Sequence, residues 1–319
     1  MEIISNPTTG EIKRAAKALF DGHLVAFPTE TVYGLGADAA NEKAVSRIYS
    51  VKGRPTGHPL IVHISSIKSV ERWAKDLPDY AIQLAREFWP GPMTLILKRS
   101  AFAMDFITGG QDTVGLRIPA HPIAQELLAA FERLGGTGIA APSANKFGAV
   151  SATSSDDVIE EIGKDLDAND IIIHGGSSRI GIESTIIDCT KDIPSVLRPG
   201  AITREMIENS LRTKLPIINE DTKMKFSGSF KSHYSPKARV KLSSPALPGE
   251  GFIALSKTLT PSGAIRLASP NDAIEYAAQI YSALRLGDAK GLKTIIVIPP
   301  EGDGLERAIF DRLSKAAFG

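Results

Sequence analysis

The sequence predicts an α/β protein of two domains, the larger built on a twisted mixed sheet with flanking helices and the smaller a second α/β unit. Three observations lead there. Strand-like segments alternate with amphipathic helical ones along most of the 319 residues. Several strand-like segments follow one another without an intervening helix, which a purely parallel sheet does not allow. Periodicity then fails over residues 214–238 before the same alternation restarts, dividing the chain into 1–213, a linker, and 239–319.

Taken in order, Thr8-Thr9-Gly10-Glu11 has the spacing of a capping box, and Ile12, Ala15, Ala16, Leu19 and Phe20 recur at helical intervals up to Asp21-Gly22. Leu24 to Pro28 reads as a strand. Further helices are expected at Glu42–Ser50, between Ile67 and Trp89, at Ile123–Phe131, Asp156–Ile162 and Thr203–Arg212. Strands are expected at Leu60–Ile64, Met93–Lys98, Thr113–Ile118, Gly138–Ala141, Ile171–His174 and Ser184–Asp188. Residues 214–239 carry Lys214, Lys223, Lys225, Lys231, Lys237 and Arg239 against Glu220 and Asp221, with Gly228 and Pro236, the composition of an exposed, mobile linker. Beyond it, strands are expected at Val240–Leu242, Gly251–Leu255, Ile265–Leu267 and Thr294–Ile298, and helices at Ala273–Leu286 and Leu305–Ala317.

Composition narrows the function. Lys and Arg number 37 against 36 Asp and Glu, so no global field draws the chain to nucleic acid or an anionic membrane, and any polyanion must meet a local patch. The single cysteine, Cys189, excludes an internal disulfide framework and a cysteine-cluster zinc site, and fits a reducing compartment. No apolar run is long enough to span a bilayer, and Glu2 and Glu11 replace the basic start of a secretory leader, so a cytoplasmic protein with no membrane partner is expected.

Candidate chemistry gathers at strand ends. Gly34-Leu35-Gly36-Ala37-Asp38-Ala39 matches a relaxed dinucleotide fingerprint, but Pro28 to Tyr33 separates it from the strand, and a tight turn of small residues explains it as well. Lys52-Gly53-Arg54-Pro55 places two cations in one loop, suited to phosphoryl oxygens, or else simply a solvated surface loop. Arg117 and Arg198 lie in apolar strand contexts where a bare guanidinium needs a partner. Pro28-Thr29-Glu30-Thr31, Pro142-Ser143-Ala144-Asn145 and Glu183-Ser184-Thr185 each read alone as a turn or cap; jointly, hydroxyls and amides at several strand ends suggest one crevice. The six histidines show no metal spacing. Trp73, Trp89 and the apolar face of Ile82, Leu84, Ala85 and Phe88 read as core.

The segments Pro28-Thr29-Glu30-Thr31-Val32-Tyr33-Gly34-Leu35, Lys52-Gly53-Arg54-Pro55 with Pro59-Leu60, Pro142-Ser143-Ala144-Asn145, Ser184-Thr185-Ile186-Ile187-Asp188 and Leu197-Arg198-Pro199-Gly200, in this order, closely resemble the YrdC/Sua5 family over about residues 10–205. The linker and the closing Gly304-Leu305-Glu306-Arg307-Ala308-Ile309-Phe310-Asp311-Arg312-Leu313 resemble its two-domain Sua5 type. The resemblance implies a YrdC-like twisted mixed sheet with flanking helices in 1–213, a lid in 214–238, and a Rossmann-like Sua5-type domain in 239–319. It implies an L-threonylcarbamoyladenylate synthase, a nucleotidyltransferase. The reaction joins L-threonine, bicarbonate or CO2, and ATP into threonylcarbamoyl-AMP and pyrophosphate, the first step toward N6-threonylcarbamoyladenosine at position 37 of ANN-decoding tRNAs.

By the same resemblance, Lys52 and Arg54 carry the catalytic charge neutralisation, with Mg2+ on the ATP phosphates. ATP is expected to meet Lys52, Arg54, His58, Thr113, Ala141, Ser143, Asn145, Ser151, Arg198 and Tyr234. Threonine is expected at Thr31, His63, Arg117 and Ser184, with Arg117 facing its carboxylate. Downstream tRNA threonylcarbamoyl-transfer enzymes are the implied partners, with direct RNA binding secondary. Two departures stand out. Position 58 is His where the family often has Asn, and the linker reads Ser227-Gly228-Ser229-Phe230-Lys231-Ser232 where members commonly carry Pro-Gly-Met-Lys-x-Arg, so an arginine is lost while Gly228 and His233-Tyr234-Ser235-Pro236 remain.

Two rivals remain. An RNA-binding module is disfavoured by the neutral net charge and by the lack of aromatic residues among Lys52 and Arg54. Carbamoyl transfer to another acceptor, as in hydrogenase-maturation relatives, would call for zinc-finger and acylphosphatase domains that the cysteine count and length do not supply.

Overall fold

The computed structural model describes residues 1–216, 225, 226, 228, 230 and 233–318. The linker positions Glu220, Asp221, Lys223, Ser227, Ser229, Lys231 and Ser232 lie outside the described residues.

The first domain runs β1 (Glu2–Ile4), α1 (Thr9–Phe20), β2 (Val25–Phe27), β3 (Gly34–Asp38), α2 (Glu42–Lys52), β4 (Ile61–His63), α3 (Val70–Trp73), α4 (Asp79–Phe88), β5 (Met93–Lys98), α5 (Asp105–Thr108), β6 (Thr113–Arg117), α6 (Pro122–Arg133), β7 (Ile139–Ala140), α7 (Ser155–Ile162), β8 (Ile171–Ile173), β9 (Thr185–Asp188), β10 (Ser195–Arg198) and α8 (Arg204–Leu211). The expected capping box opens α1: the Thr8 hydroxyl accepts from the Glu11 amide while the Glu11 carboxylate accepts from the Thr8 amide.

These strands form one sheet in the order β1-β8-β2-β3-β7-β4-β6-β5-β9-β10. The sheet is mixed, as expected: β1/β8, β2/β8, β4/β6 and β5/β9 are parallel, while β2/β3, β3/β7, β4/β7, β5/β6 and β9/β10 are antiparallel. Strand alternation divides its side chains between two cores. Val25, Phe27, Ile171 and Ile173 pack with Ile12, Leu19, Leu127 and Phe131 of α1 and α6. Leu24, Ala26 and Ile172 join Val45 and Ile48 of α2 and the buried Trp73 on the other side.

Three readings are corrected. Gly34 to Asp38 is neither a phosphate loop nor a turn but the antiparallel strand β3, whose Leu35 and Ala37 are buried. Its glycines serve packing: a Cβ on Gly36 would stand 2.8 Å from an Ile139 methyl and 2.9 Å from the Phe27 ring. The Lys52–Arg54 loop is not a solvated surface feature, since Lys52 and Arg54 are 2% and 7% exposed. The linker is not simply an exposed tether either, because Leu215, Gly228, His233 and Tyr234 are buried.

The second domain runs β11 (Arg239–Leu242), β12 (Gly251–Ile253), β13 (Ile265–Ala268), α9 (Ala273–Ala289), β14 (Thr294–Val297) and α10 (Leu305–Ala317). Its four strands are all parallel in the order β11-β14-β12-β13. Its core, built on Tyr276, Ile280, Leu284, Ile295, Ile309 and Leu313, extends into the first domain through Val32, Val150 and Ile182. Arg285 of α9 adds polar contacts to Glu161, at 3.0 Å, and to the Val150 carbonyl. Gly181 lies tight against α9. Its φ is +77°, and a Cβ there would stand 2.4 Å from the Ala277 carbonyl oxygen of α9. Gly181→Ala is expected to destabilise the protein by about 1–3 kcal/mol, through left-handed backbone strain and separation of the domains. Calorimetry checks this: a single unshifted unfolding transition would refute it.

Candidate active site

The ends of the central strands open into one cavity of about 50 Å3, lined by residues from both flanks of the sheet. Thr29 and Thr31 follow β2, Ile61 and His63 belong to β4, and Arg117 ends β6. Ala141 to Ser143 follow β7, Glu183 and Ser184 precede β9, and Arg198 ends β10. Arg54 reaches in from the loop after α2, while Gly228, His233 and Tyr234 close the cavity from the linker. The strand-end groups that looked like separate turns therefore do meet in one crevice.

At one end, the Arg117 guanidinium is tied on three sides. It donates to Glu30 Oε1 at 2.6 Å, to Thr31 Oγ1 at 2.9 Å and to the Gly91 carbonyl at 3.3 Å. The partner demanded by its apolar strand is Glu30, whose other oxygen accepts from the Ala120 amide at 2.9 Å. Two of the five guanidinium N–H groups have no partner among the described residues. His63 stands nearby, edge-on to Phe27 with ring centroids 6.1 Å apart. Burial and the Arg117 charge lower its pKa to about 3, so it is a neutral imidazole at physiological pH.

At the other end, Arg198 donates from Nε and Nη2 to the Ser184 carbonyl, at 3.0 and 2.8 Å, and from Nη2 to Ser184 Oγ at 3.2 Å. Arg54 donates to the Pro59 carbonyl at 3.1 Å, and its guanidinium carbon lies 5.8 Å from the Phe147 ring centroid. Burial lowers its pKa to about 10, which leaves it charged at neutral pH. Tyr234 enters with positive φ. It stacks on Tyr281 of α9 at 5.7 Å, and burial raises its hydroxyl pKa to about 12. Glu183 accepts from Ser151 Oγ at 2.6 Å, Tyr281 at 2.9 Å and Arg312 at 2.7 Å. Burial alone would raise its pKa, but Arg312 and Arg198 outweigh this and hold it down to about 2.

Of the expected site residues, Thr31, Arg54, His63, Arg117, Ala141, Ser143, Ser184, Arg198 and Tyr234 line the cavity. Five stand elsewhere. The Lys52 ammonium is fully buried and donates to the Ser143 carbonyl at 2.6 Å and to that of Asn145, so it braces the loop behind the cavity. Ser151 holds Glu183, and the Asn145 amide donates to the Lys146 and Ala149 carbonyls. His58 lies against Phe230, ring centroids 4.2 Å apart, and Thr113 lines a separate cavity with Arg99 and Asp112. Sequence reasoning missed the roles of Glu183, Tyr281 and Arg312, which come together only through the domain interface.

Several buried polar atoms here lack partners among the described residues: Arg54 Nε, His63 Nδ1, His233 Nδ1 and the Tyr234 hydroxyl. Buried polar atoms are rarely left unpaired, so four on one cavity mark a place where a polar ligand completes the bonding. Fold and cavity together are those of an α/β enzyme with one polar, arginine-lined cavity at its strand ends, bordered by Gly228, His233 and Tyr234 of the linker.

Comparison with known proteins agrees. Residues 17–200 match the Sua5/YciO/YrdC domain model, described as telomere recombination, and residues 202–318 match the threonylcarbamoyl-AMP synthase C-terminal domain. The chain is 40% identical to the threonylcarbamoyl-AMP synthase of Pyrococcus abyssi, covering 96% of this chain and 94% of that protein. It is 38% identical to that of Bacillus subtilis, covering 97% and 93%. The crystal structure of P. abyssi Sua5 complexed with L-threonine superposes with a TM-score of 0.87 at 37% identity, covering 99% and 97% of the two chains. The chain therefore belongs to the YrdC/Sua5 family, as a two-domain threonylcarbamoyl-AMP synthase.

Proposed function

We propose that the enzyme is a nucleotidyltransferase joining L-threonine, bicarbonate or CO2, and ATP into threonylcarbamoyl-AMP, with release of pyrophosphate. Residues 1–213 act as the catalytic domain, 214–238 as linker and lid, and 239–319 as the Sua5-type domain. The observation that carries this reading is the single cavity where Arg117, Arg54 and Arg198 stand beside buried polar atoms of Arg54, His63, His233 and Tyr234 that have no partner among the described residues.

Threonine docks its carboxylate on the two remaining N–H groups of Arg117, beside Thr31, His63 and Ser184. Its amine, once deprotonated, attacks the carbon of CO2, a C=O electron pair moves onto oxygen, and the nitrogen gives up a further proton to solvent, leaving an N-carboxylate. One oxygen of that carboxylate attacks the ATP α-phosphorus, the bond to the bridging oxygen breaks, and pyrophosphate leaves with that electron pair. Arg54 and Arg198 stabilise the charge that develops on the phosphoryl oxygens. Mg2+ enters with the triphosphate as part of the substrate; the nearby carboxylates Glu30 and Glu183 are already engaged by Arg117 and Arg312.

A cavity of about 50 Å3 holds one or two waters rather than a nucleotide, so the cover formed by Gly228, His233 and Tyr234 moves when ATP enters. Closed again, it shields a labile mixed anhydride from water. The product supplies tRNA threonylcarbamoyl-transfer enzymes in the cytoplasm; the buried free Cys189 fits a reducing compartment, and no described helix is long and apolar enough to cross a membrane. Pyrophosphate release is expected only when threonine, bicarbonate and MgATP are all present. Release of equal rate without threonine would overturn the assignment.

A further inference from the structure

The second domain sends Tyr281, Arg285 and Arg312 into the first, and Arg312 makes the most contacts around the cavity. Arg312 of α10 is fully buried, and all three guanidinium nitrogens are used. Nε donates to Glu183 Oε2 at 2.7 Å, Nη2 to the Pro199 carbonyl at 3.0 Å, and Nη1 to Asp311 Oδ2 at 2.5 Å. The guanidinium carbon lies 5.4 Å from the centroid of the Tyr234 ring. Three of these neighbours belong to the cavity or adjoin it: Glu183 lines it next to Ser184, Pro199 directly follows Arg198, and Tyr234 covers it.

Cohesion between the domains does not explain this arrangement. The joint apolar cluster of Val32, Val150 and Ile182 with the second core already supplies that, and a buried ion pair adds little stability over apolar residues of the same volume. What an ion pair does add is fixed geometry. We propose that Arg312 is a positioning residue for the nucleotide half of the cavity. It orients the Tyr234 ring and the strand end that carries Arg198, and it neutralises Glu183 so that the cavity presents net positive charge to a triphosphate. This inference rests on the ATP-dependent reaction proposed above. It bears mainly on the nucleotide, because Thr31, His63 and Arg117 have no hydrogen bond or ion pair to the second domain among the described residues, and of the threonine-side groups only Ser184, bonded to Arg198 and next to Glu183, adjoins the Arg312 network.

The test uses the full chain and measures the affinities for MgATP and for L-threonine separately by calorimetry, alongside thermal unfolding. Arg312→Lys keeps the charge but loses the planar fork joining Glu183 to Pro199. It is expected to weaken MgATP binding about tenfold, the scale of one lost charge-assisted contact, and to leave threonine affinity within about twofold. Should that variant fail to fold, Glu183→Gln with Arg312→Met removes both charges together, and the same split is expected from it. A folded variant that binds MgATP as tightly as wild type, or loses both ligands equally, overturns the positioning role. Wild-type protein that binds neither ligand overturns the proposed function instead, and this inference with it.

Discussion

Arg54→Ala is expected to slow threonine-dependent pyrophosphate release by about 10²–10³-fold, the range seen when one preorganised charge or donor is removed from a transition state. Its thermal unfolding should change by only a few degrees. The physical reason is that, among the described residues, the Arg54 side chain makes a single hydrogen bond of 3.1 Å, to the Pro59 carbonyl, while its Nε has no partner there and its side chain lines the cavity. Lys52→Ala should behave in the opposite sense. Its ammonium is completely buried between the carbonyls of Ser143 and Asn145, with burial and the neighbouring Arg54 both pushing its pKa well below the usual lysine range. Removing it orphans two buried carbonyls, at about 1–3 kcal/mol each, in the loop that carries Ser143 into the site. The expected signature is a lower Tm with a rate loss that partly recovers on cooling. Pyrophosphate release and differential scanning fluorimetry on both variants decide the matter. Equal rate losses with no change in Tm would restore the simpler picture of a two-cation phosphate clamp.

That contrast shows where the sequence was legible. A Lys and an Arg two residues apart announce a local cation pair, but spacing in a loop says nothing about which one faces a cavity and which one braces a neighbouring backbone. Most elements were legible because apolar periodicity is a local property: α1 with its capping box, β5 and α10 fall where the pattern placed them. The strands that escaped are those whose pattern is short or masked. In β3 two of five residues are glycines kept small by Phe27, Ile139 and Ala141, so alternation carries no signal, and β1 is only three residues long. Arg117 could be flagged as needing a partner, but that the partner is Glu30, 87 residues away, comes from the parallel pairing of β4 with β6 and the loop after β2. The union of Glu183 with Arg312, 129 residues apart, depends on docking the second domain onto the first across a shared apolar cluster, an event no local pattern encodes.

Acidification should weaken this protein well before its carboxylates titrate, and His63 and His233 carry most of the loss, joined by His58 and His121, whose pKa values burial also lowers. His63 and His233 are both buried, and burial foremost lowers each pKa from 6.5 to about 3, aided for His63 by Arg117 and for His233 by Lys52, Arg54 and Arg198. In the unfolded chain each takes up a proton as the pH falls through about 6.5, while in the folded protein each refuses it until about 3. Between these limits the unfolded state binds more protons, so stability must fall as pH falls through this window. The loss reaches roughly 2 kcal/mol per histidine between pH 7 and pH 5, or about 4 kcal/mol for the pair, a large share of the stability of an ordinary domain. Glu183 does not offset it, because at about 2 its folded pKa keeps it ionised throughout, and the stability it contributes fades only below its ordinary value of 4.5. Urea denaturation at pH 7, 6 and 5 measures the slope. Replacing His63 by Gln and His233 by Asn removes both titrations, so the double variant, though weaker at pH 7, should show a clearly shallower profile down to pH 5, the remaining slope coming from His58 and His121. A slope as steep as that of the wild type would mean that other groups carry the proton linkage.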